Sequence, residues 1–346
     1  MRWFALVMMV GCGGTVAGDG SCTVEDRGDG TATITCPDGT SYDVAGAPTD
    51  EGDNGAGDTD VSADTDVSVT GCGPVTVVYG DYTAMNNLDL ALLRCVHKIT
   101  GTLRIEGTGV SDLSDLDALT TVGGDLSVED NDALTSLSGL DALTTVGSLY
   151  FGENPALTSL SGLDALTTVG GELYVYDNDA LTSLSGLDAV TAVDGLLYVR
   201  GNPALTSLSG LDALTTVGSL FVGENPALTS LSGLEALTTA VGALTVNNNA
   251  ALTSLALPAL TTVGGQLSLE GHAALTSHAL PALTTVGGAM HITGDTVLTS
   301  LSGFDALTTV GDLYVFGNPA LCQSLVDAFY ARLTASCSFC TNLDDC

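Results

Sequence analysis

Four histidines, nine cysteines and forty-one carboxylates are the residues of this 346-residue chain with chemistry to offer. The histidines are His97, His272, His278 and His291. His272 occupies a corner of a repeating unit, His278 stands where that unit otherwise carries a core leucine, and His291 faces outward from a strand. That spread puts no three of them on one face as metal ligands. No nucleophile elbow, phosphate-binding glycine loop or metalloprotease helix occurs in the sequence. Acid pairs such as Asp130 and Asp132 fall on turns, with no cleft to raise a carboxyl pKa. These readings argue against an enzyme and against a bound metal or other cofactor.

The cysteines read as anchor and staples. Arg2 precedes an apolar run from Trp3 to Val10, too short to span a bilayer as a helix. It ends in Met9-Val10-Gly11-Cys12, which resembles a bacterial lipobox. That resemblance implies a signal peptide over residues 1–11, a lipidated Cys12 and a tether over 12–21, with Gly13 pointing to outer-membrane sorting. The alternative is cleavage near Ala17-Gly18 and full release. With Cys12 set aside, eight cysteines remain: Cys22, Cys36, Cys72, Cys95, Cys322, Cys337, Cys340 and Cys346. An exported chain sees an oxidising compartment, so four disulfides are expected. Position suggests Cys22 with Cys36 and Cys72 with Cys95, and leaves three connectivities open for the last four. A four-sulfur metal site built on Cys337-Ser-Phe-Cys340 is the competing reading and ranks below disulfides.

Only seven residues are Lys or Arg, and the formal charge is −34. Such a chain is a poor partner for nucleic acid or an anionic bilayer, so its membrane contact is expected through the lipid anchor only. Residues 22–46 read as a small Cys-bounded β unit with turns at Gly28-Asp29-Gly30 and Pro37-Asp38-Gly39. Arg27-Gly28-Asp29 matches a short adhesion tripeptide, and in this context a plain turn is the preferred reading. Residues 47–71 are rich in Pro, Gly, Ser, Thr and acids, which describes a self-repelling spacer.

From residue 96 to 321 the chain repeats. The marker column runs Asn131, Asn154, Asn178, Asn202, Asn225, Asn249, His272, Asp295 and Asn318, with Gly107 one turn earlier, at steps of 23 or 24 residues. A fixed period of this size is the signature of a solenoid. In Leu173-Tyr174-Val175-Tyr176 the alternation predicts a strand with Leu173 and Val175 inward. Asn178 marks a corner, Ser185-Gly186-Leu187-Asp188 predicts a capped helical turn, and Gly195 permits a second corner. The expected fold class is a β-rich, right-handed leucine-rich-like coil with one long parallel sheet and disulfide-stapled caps. Residues 72–95 form the N-terminal cap, with an amphipathic run from Leu88 to Leu93. Residues 322–346 form the C-terminal cap, where Leu325, Phe329 and Leu333 recur at helical spacing.

The early Ile99-Thr-Gly-Thr-Leu-Arg-Ile105, the turns of Leu-x-Val…Asn-x-x-Leu, and the close Asn318-Pro-Ala-Leu-Cys322 resemble the receptor L domain over residues 72–346. That family's fold is a leucine-rich-like coil that binds ligands, and bacterial surface proteins carry expanded versions. The resemblance implies a ligand-binding, non-catalytic surface lipoprotein. It does not name a growth factor, because these repeats are more numerous and more uniform.

Function is expected on the outward strand positions, which vary while the core columns do not. Tyr150, Tyr174, Tyr198 and Phe221 fall in four adjacent strands, flanked by Tyr176 and Arg200. Such a ribbon suits a protein or a carbohydrate at the cell surface. The alternative is a ladder that only stiffens the sheet, which would make the protein a passive structural one. A second column, Asp117, Asp141, Asp164, Asp188, Asp212, Glu235 and Asp305, stacks like charges. Calcium would offset them, but no calcium-loop motif occurs, so capping of backbone amides is the preferred account.

Overall fold

A computed structural model describes residues 76–341 together with three N-terminal strands, Thr23–Asp26, Thr31–Thr35 and Ser41–Ala45. The lipobox with Cys12, the tether, Cys22, Cys36, the Arg27-Gly28-Asp29 turn, the spacer, Cys72 and Cys346 lie outside the described residues. The three strands pair as an antiparallel meander, Thr23 opposite Thr35 and Thr31 opposite Ala45.

The repeats build a parallel solenoid. Each coil contributes a short alternating strand, such as Leu149–Gly152, Leu173–Tyr176 and Leu244–Asn247. Neighbouring strands pair in parallel with equivalent residues in register: Leu149 beside Leu173 beside Leu197, and Tyr150 beside Tyr174 beside Tyr198. The main sheet holds fifteen strands. Leu173, Val175, Leu181, Leu184, Leu187, Val190 and Val193 are buried in one coil, and the same columns run from end to end as a single core. One coil could not shield these side chains, so burial, roughly 1.5–3 kcal/mol for each large aliphatic, is realised only by stacking.

The corner asparagines tie the coils together. The Asn178 Nδ2 donates to the Phe151 carbonyl of the coil before (3.0 Å) and to the Tyr176 carbonyl of its own (2.9 Å). Its Oδ1 accepts the Asn154 backbone N–H at 3.2 Å. The N–H to Oδ1 link recurs from Asn131 through Asn249, all fully buried. A corner packed against another corner has no water for its backbone groups, and the amide supplies both donor and acceptor.

The structure refines several local expectations. The Ser-Gly-Leu-Asp segment is a turn in most coils; among the described residues 3-10 helices occur at Ser114–Leu116 and Ser302–Phe304. The acid column caps backbone amides, as expected. Asp141, Asp164, Asp188 and Asp212 each accept the N–H of the glycine two residues earlier, at 2.9–3.1 Å, and Glu235 does so at 2.7 Å. Gly195 is not held at positive φ; the carbonyl of Gly171 in the coil before lies where a side chain would sit, so the need is space. Gly186 does have positive φ (110°), with the Leu160 carbonyl against it. In the C-terminal cap the helix Gln323–Tyr330 buries Val326 and Phe329, while Leu325 is 42% exposed.

The caps close the stack. Strand Tyr82–Asn86 and helix Asn87–Ala91 cover the first coil, burying Leu90 and Leu93. The Tyr82 hydroxyl donates to the Asp89 carbonyl at 2.7 Å; burial, then the Asp89 charge, push its pKa up to about 12. At the far end a strand unforeseen in the sequence, Thr334–Thr341, pairs in parallel with Thr309–Phe316. Cys337 and Cys340 are joined by a disulfide inside that strand, one of the pairings left open. Cys95 and Cys322 are disulfide-bonded as well. Among the described residues no helix is long and apolar enough to cross a membrane.

Candidate recognition face

Because the strands pair in register, one side-chain type repeated at one strand position must stack. Tyr150 and Tyr174 lie with ring centroids 5.2 Å apart, Tyr174 and Tyr198 5.0 Å, and Tyr198 and Phe221 4.8 Å. All four rings are half-buried; Tyr174 and Tyr198 each have a ring on both sides, and Tyr150 and Phe221 end the stack. The result is a continuous aromatic track about 15 Å from first ring to last, running across the strands. Burial, which comes first, raises the pKa of the Tyr150 and Tyr174 hydroxyls, and the Glu172 carboxylate adds to it. The Tyr150 hydroxyl donates to Glu172 Oε2 at 3.2 Å.

The two flanking residues do not join the stack. Tyr176 folds across Gly152, whose missing side chain leaves the room, and its hydroxyl donates to Glu129 two coils away. Burial and that carboxylate hold the phenol far above its usual range. Arg200 turns the other way. Its Nη2 donates to Glu224 Oε2 at 2.8 Å and its Nη1 sits 3.4 Å from the Tyr198 hydroxyl, bonds that hold the guanidinium protonated. Asn247 closes over Gly223 as Tyr176 does over Gly152.

Neither a protein-family model nor a curated protein matches the chain. Among solved structures it is similar to the crystal structure of an internalin from Listeria monocytogenes, at 18% identity over 74% of this chain and 72% of that one, with a TM-score of 0.46. The fold class is established by the chain's own parallel in-register strands, a leucine-rich-like parallel solenoid of about 23 residues per coil.

Three features of the surface and core were not anticipated. A second stack, His291 on Tyr314 at 4.4 Å, lies farther along the same column, separated from the first by Thr245 and the buried Ser268. Corner residues Asp130, Glu153, Asp177 and Glu224 adopt left-handed backbone (φ 53–58°) and are exposed. Each stands immediately before a marker asparagine, so the column was readable; only its conformation was not. Most unexpected is a polar trio inside the core. His272 Nδ1 lies 3.0 Å from Asp295 Oδ1, and His278 Nε2 lies 3.5 Å from Asp295 Oδ2 without hydrogen-bond alignment. His272 and Asp295 are fully buried and His278 nearly so. His278 does fill a core position, as expected, but it meets His272 through the shared carboxylate. Among the described residues no group of three or more His, Cys, Asp or Glu is placed to hold a metal ion.

Proposed function

We propose that the chain is a non-catalytic, surface-displayed recognition module that binds a protein or a glycan through the outward strand face. The observation that carries this reading is the aromatic track. Core columns repeat Leu and Val almost without change, whereas the outward column concentrates Tyr150, Tyr174, Tyr198 and Phe221 in four consecutive coils and then reverts to Thr245 and Ser268. A ladder needed only to stiffen the sheet would serve every coil alike. Half-exposed aromatic rings on a rigid sheet are preorganised contact area, costing little conformational entropy on binding. In this reading Cys12 carries the lipid anchor on an exported chain, residues 47–71 space the solenoid from the outer membrane, and the coils from 96 to 321 present the face.

The test is a glycan and surface-protein array probed with the full chain, made with its disulfides, beside Tyr174→Ser/Tyr198→Ser. A partner captured by the first and lost by the second supports recognition. No capture by well-folded protein, with the double variant markedly less stable, favours the passive structural role instead.

A further inference from the structure

The charges around the track narrow the kind of partner, on the premise that the face binds. On one border stand Asp125 and Glu172. On the other stand Glu129 and the exposed corner acids Asp130, Glu153, Asp177 and Glu224. Two arginines share this face: Arg200, paired with Glu224 beside the track, and the exposed Arg104, which lies two strands before Tyr150 in the same outward column and outside the track. The corner acids begin one coil before the track, at Asp130, and accompany three of its four rings, the Tyr198 coil having Gly201 at its corner. Past Phe221 the corner column reads Asn248, Gly271, Gly294 and Gly317, and the ring column reads Thr245 and Ser268. The later His291–Tyr314 stack has only glycine corners. The border is crowded with like charge as well: Asp130 is the chief cause that holds the Glu153 carboxyl above its usual pKa.

The stacked rings face one another, so hydroxyls, ring edges and the outer faces of the two end rings meet solvent, and carboxylates line both sides. That combination attracts guanidinium and ammonium groups, which stack on aromatic rings and pair with carboxylates. It repels acidic glycans and nucleic acid, and it offers a neutral sugar carboxylates for which the sugar has no counter-charge. We propose that the occupant is a cationic polypeptide: an extended Arg- or Lys-bearing segment of a partner protein, laid along the coil axis over Tyr150, Tyr174, Tyr198 and Phe221 between the two carboxylate borders. About 15 Å of track accommodates roughly four to five residues of extended chain.

The experiment uses the full chain and three labelled octapeptides, alternating Arg-Ser, citrulline-Ser and Glu-Ser, followed by fluorescence anisotropy in 150 mM salt (a buffer choice; the Debye length is then about 8 Å). The Arg peptide is expected to bind at least about tenfold tighter than its uncharged citrulline counterpart, with the Glu peptide not binding. Tyr174→Ser/Tyr198→Ser, and separately Asp130→Asn/Glu153→Gln/Asp177→Asn, each weaken the Arg peptide at least about tenfold. Tyr174→Phe/Tyr198→Phe keeps the rings and stays within about threefold, which guards against misreading a folding defect. Asp164→Asn/Asp188→Asn/Asp212→Asn removes the same charge from another column and stays within about twofold. Equal binding of the Arg and citrulline peptides overturns the proposal, and so does equal weakening by the two acid triples, which would be attraction without a site. A neutral partner captured on the array and lost in Tyr174→Ser/Tyr198→Ser would overturn the cationic class while leaving recognition standing. An array with no capture, together with no selective peptide binding, would remove both.

Discussion

The coils from Asn131 to Asn249 and the coils around His272 and Asp295 solve the same problem with different side chains. In the first region each corner amide donates to two carbonyls, each from Asn154 to Asn249 accepts the N–H of the corner before it, Asn131 Oδ1 at the start of the ladder has no partner, and the chain of Asn residues is neutral throughout. In the second, His272 and Asp295 occupy the same column. Asp295 Oδ1 still accepts the His272 backbone N–H at 2.8 Å, and Asn318 Oδ1 accepts that of Asp295 at 2.9 Å. The acceptor half of the device survives, but a carboxylate cannot donate, and His272 Nε2, His278 Nδ1, His278 Nε2 and Asp295 Oδ2 are left buried without partners. The lesson is that the corner needs an acceptor for register and a donor for economy of buried polar groups. Losing the donor turns a pH-indifferent corner into a titratable one.

The comparison can be broken most severely at mid-ladder. Asn202→Ala removes the donor to Val175 and Arg200 carbonyls and the acceptor for the Asn178 N–H. It is expected to cost about 3–5 kcal/mol in urea unfolding, since several buried groups are orphaned together. Next, His272→Asn/Asp295→Asn rebuilds the amide ladder in the irregular coils. The expected gain is about 1–3 kcal/mol, read from the same unfolding midpoint.

The third test is pH. Burial holds the His278 imidazole below its ordinary pKa of 6.5, outweighing Asp295 beside it; His272 adds to the lowering. The fold therefore favours the neutral ring. Its contribution is complete above the ordinary value and is lost as pH falls below 6.5 toward the folded one. Burial pushes the Asp295 carboxyl up, but the two imidazoles outweigh it and hold it below its usual 3.8, so its contribution is lost only as pH falls through that lower value. The urea midpoint of the native chain should thus fall relative to that of His278→Leu between pH 7 and 5, the leucine being what Leu255 supplies one coil earlier. Parallel curves for the two would show that His278 is not the acid-sensitive group.

The surface side of the comparison involves smaller energies. Tyr174→Ser/Tyr198→Ser loses stacking between half-exposed rings and is expected to cost less than about 2 kcal/mol. Arg200→Gln breaks an exposed ion pair and should leave the unfolding midpoint unmoved, because solvent already screens the charges.

Much of this was legible in the sequence because the coil is periodic. A 23- or 24-residue step with alternating Leu-x-Val identifies inward and outward positions, and parallel in-register pairing then turns a column of Tyr into a stack. What periodicity could not show is where a side chain reaches past its nearest neighbours. Tyr176 crosses Gly152 to Glu129 two coils away in the same column, and His278 meets Asp295 from a different coil and a different column. The cap strand Thr334–Thr341 was missed for a related reason: Ser, Cys and Thr there lack the Leu-x-Val pattern, and pairing with the last coil determines its structure.

The central claim is that the track serves recognition while the asparagine ladder serves the fold. One measurement addresses it directly: partner capture and urea unfolding on the same three proteins, the native chain, Tyr174→Ser/Tyr198→Ser and Asn202→Ala. The account expects the tyrosine variant to lose its partner with its unfolding midpoint nearly kept, and Asn202→Ala, at temperatures where it stays folded, to keep its partner with a sharply lower midpoint. A tyrosine variant that retains the partner, or that loses as much stability as the ladder variant, would contradict it.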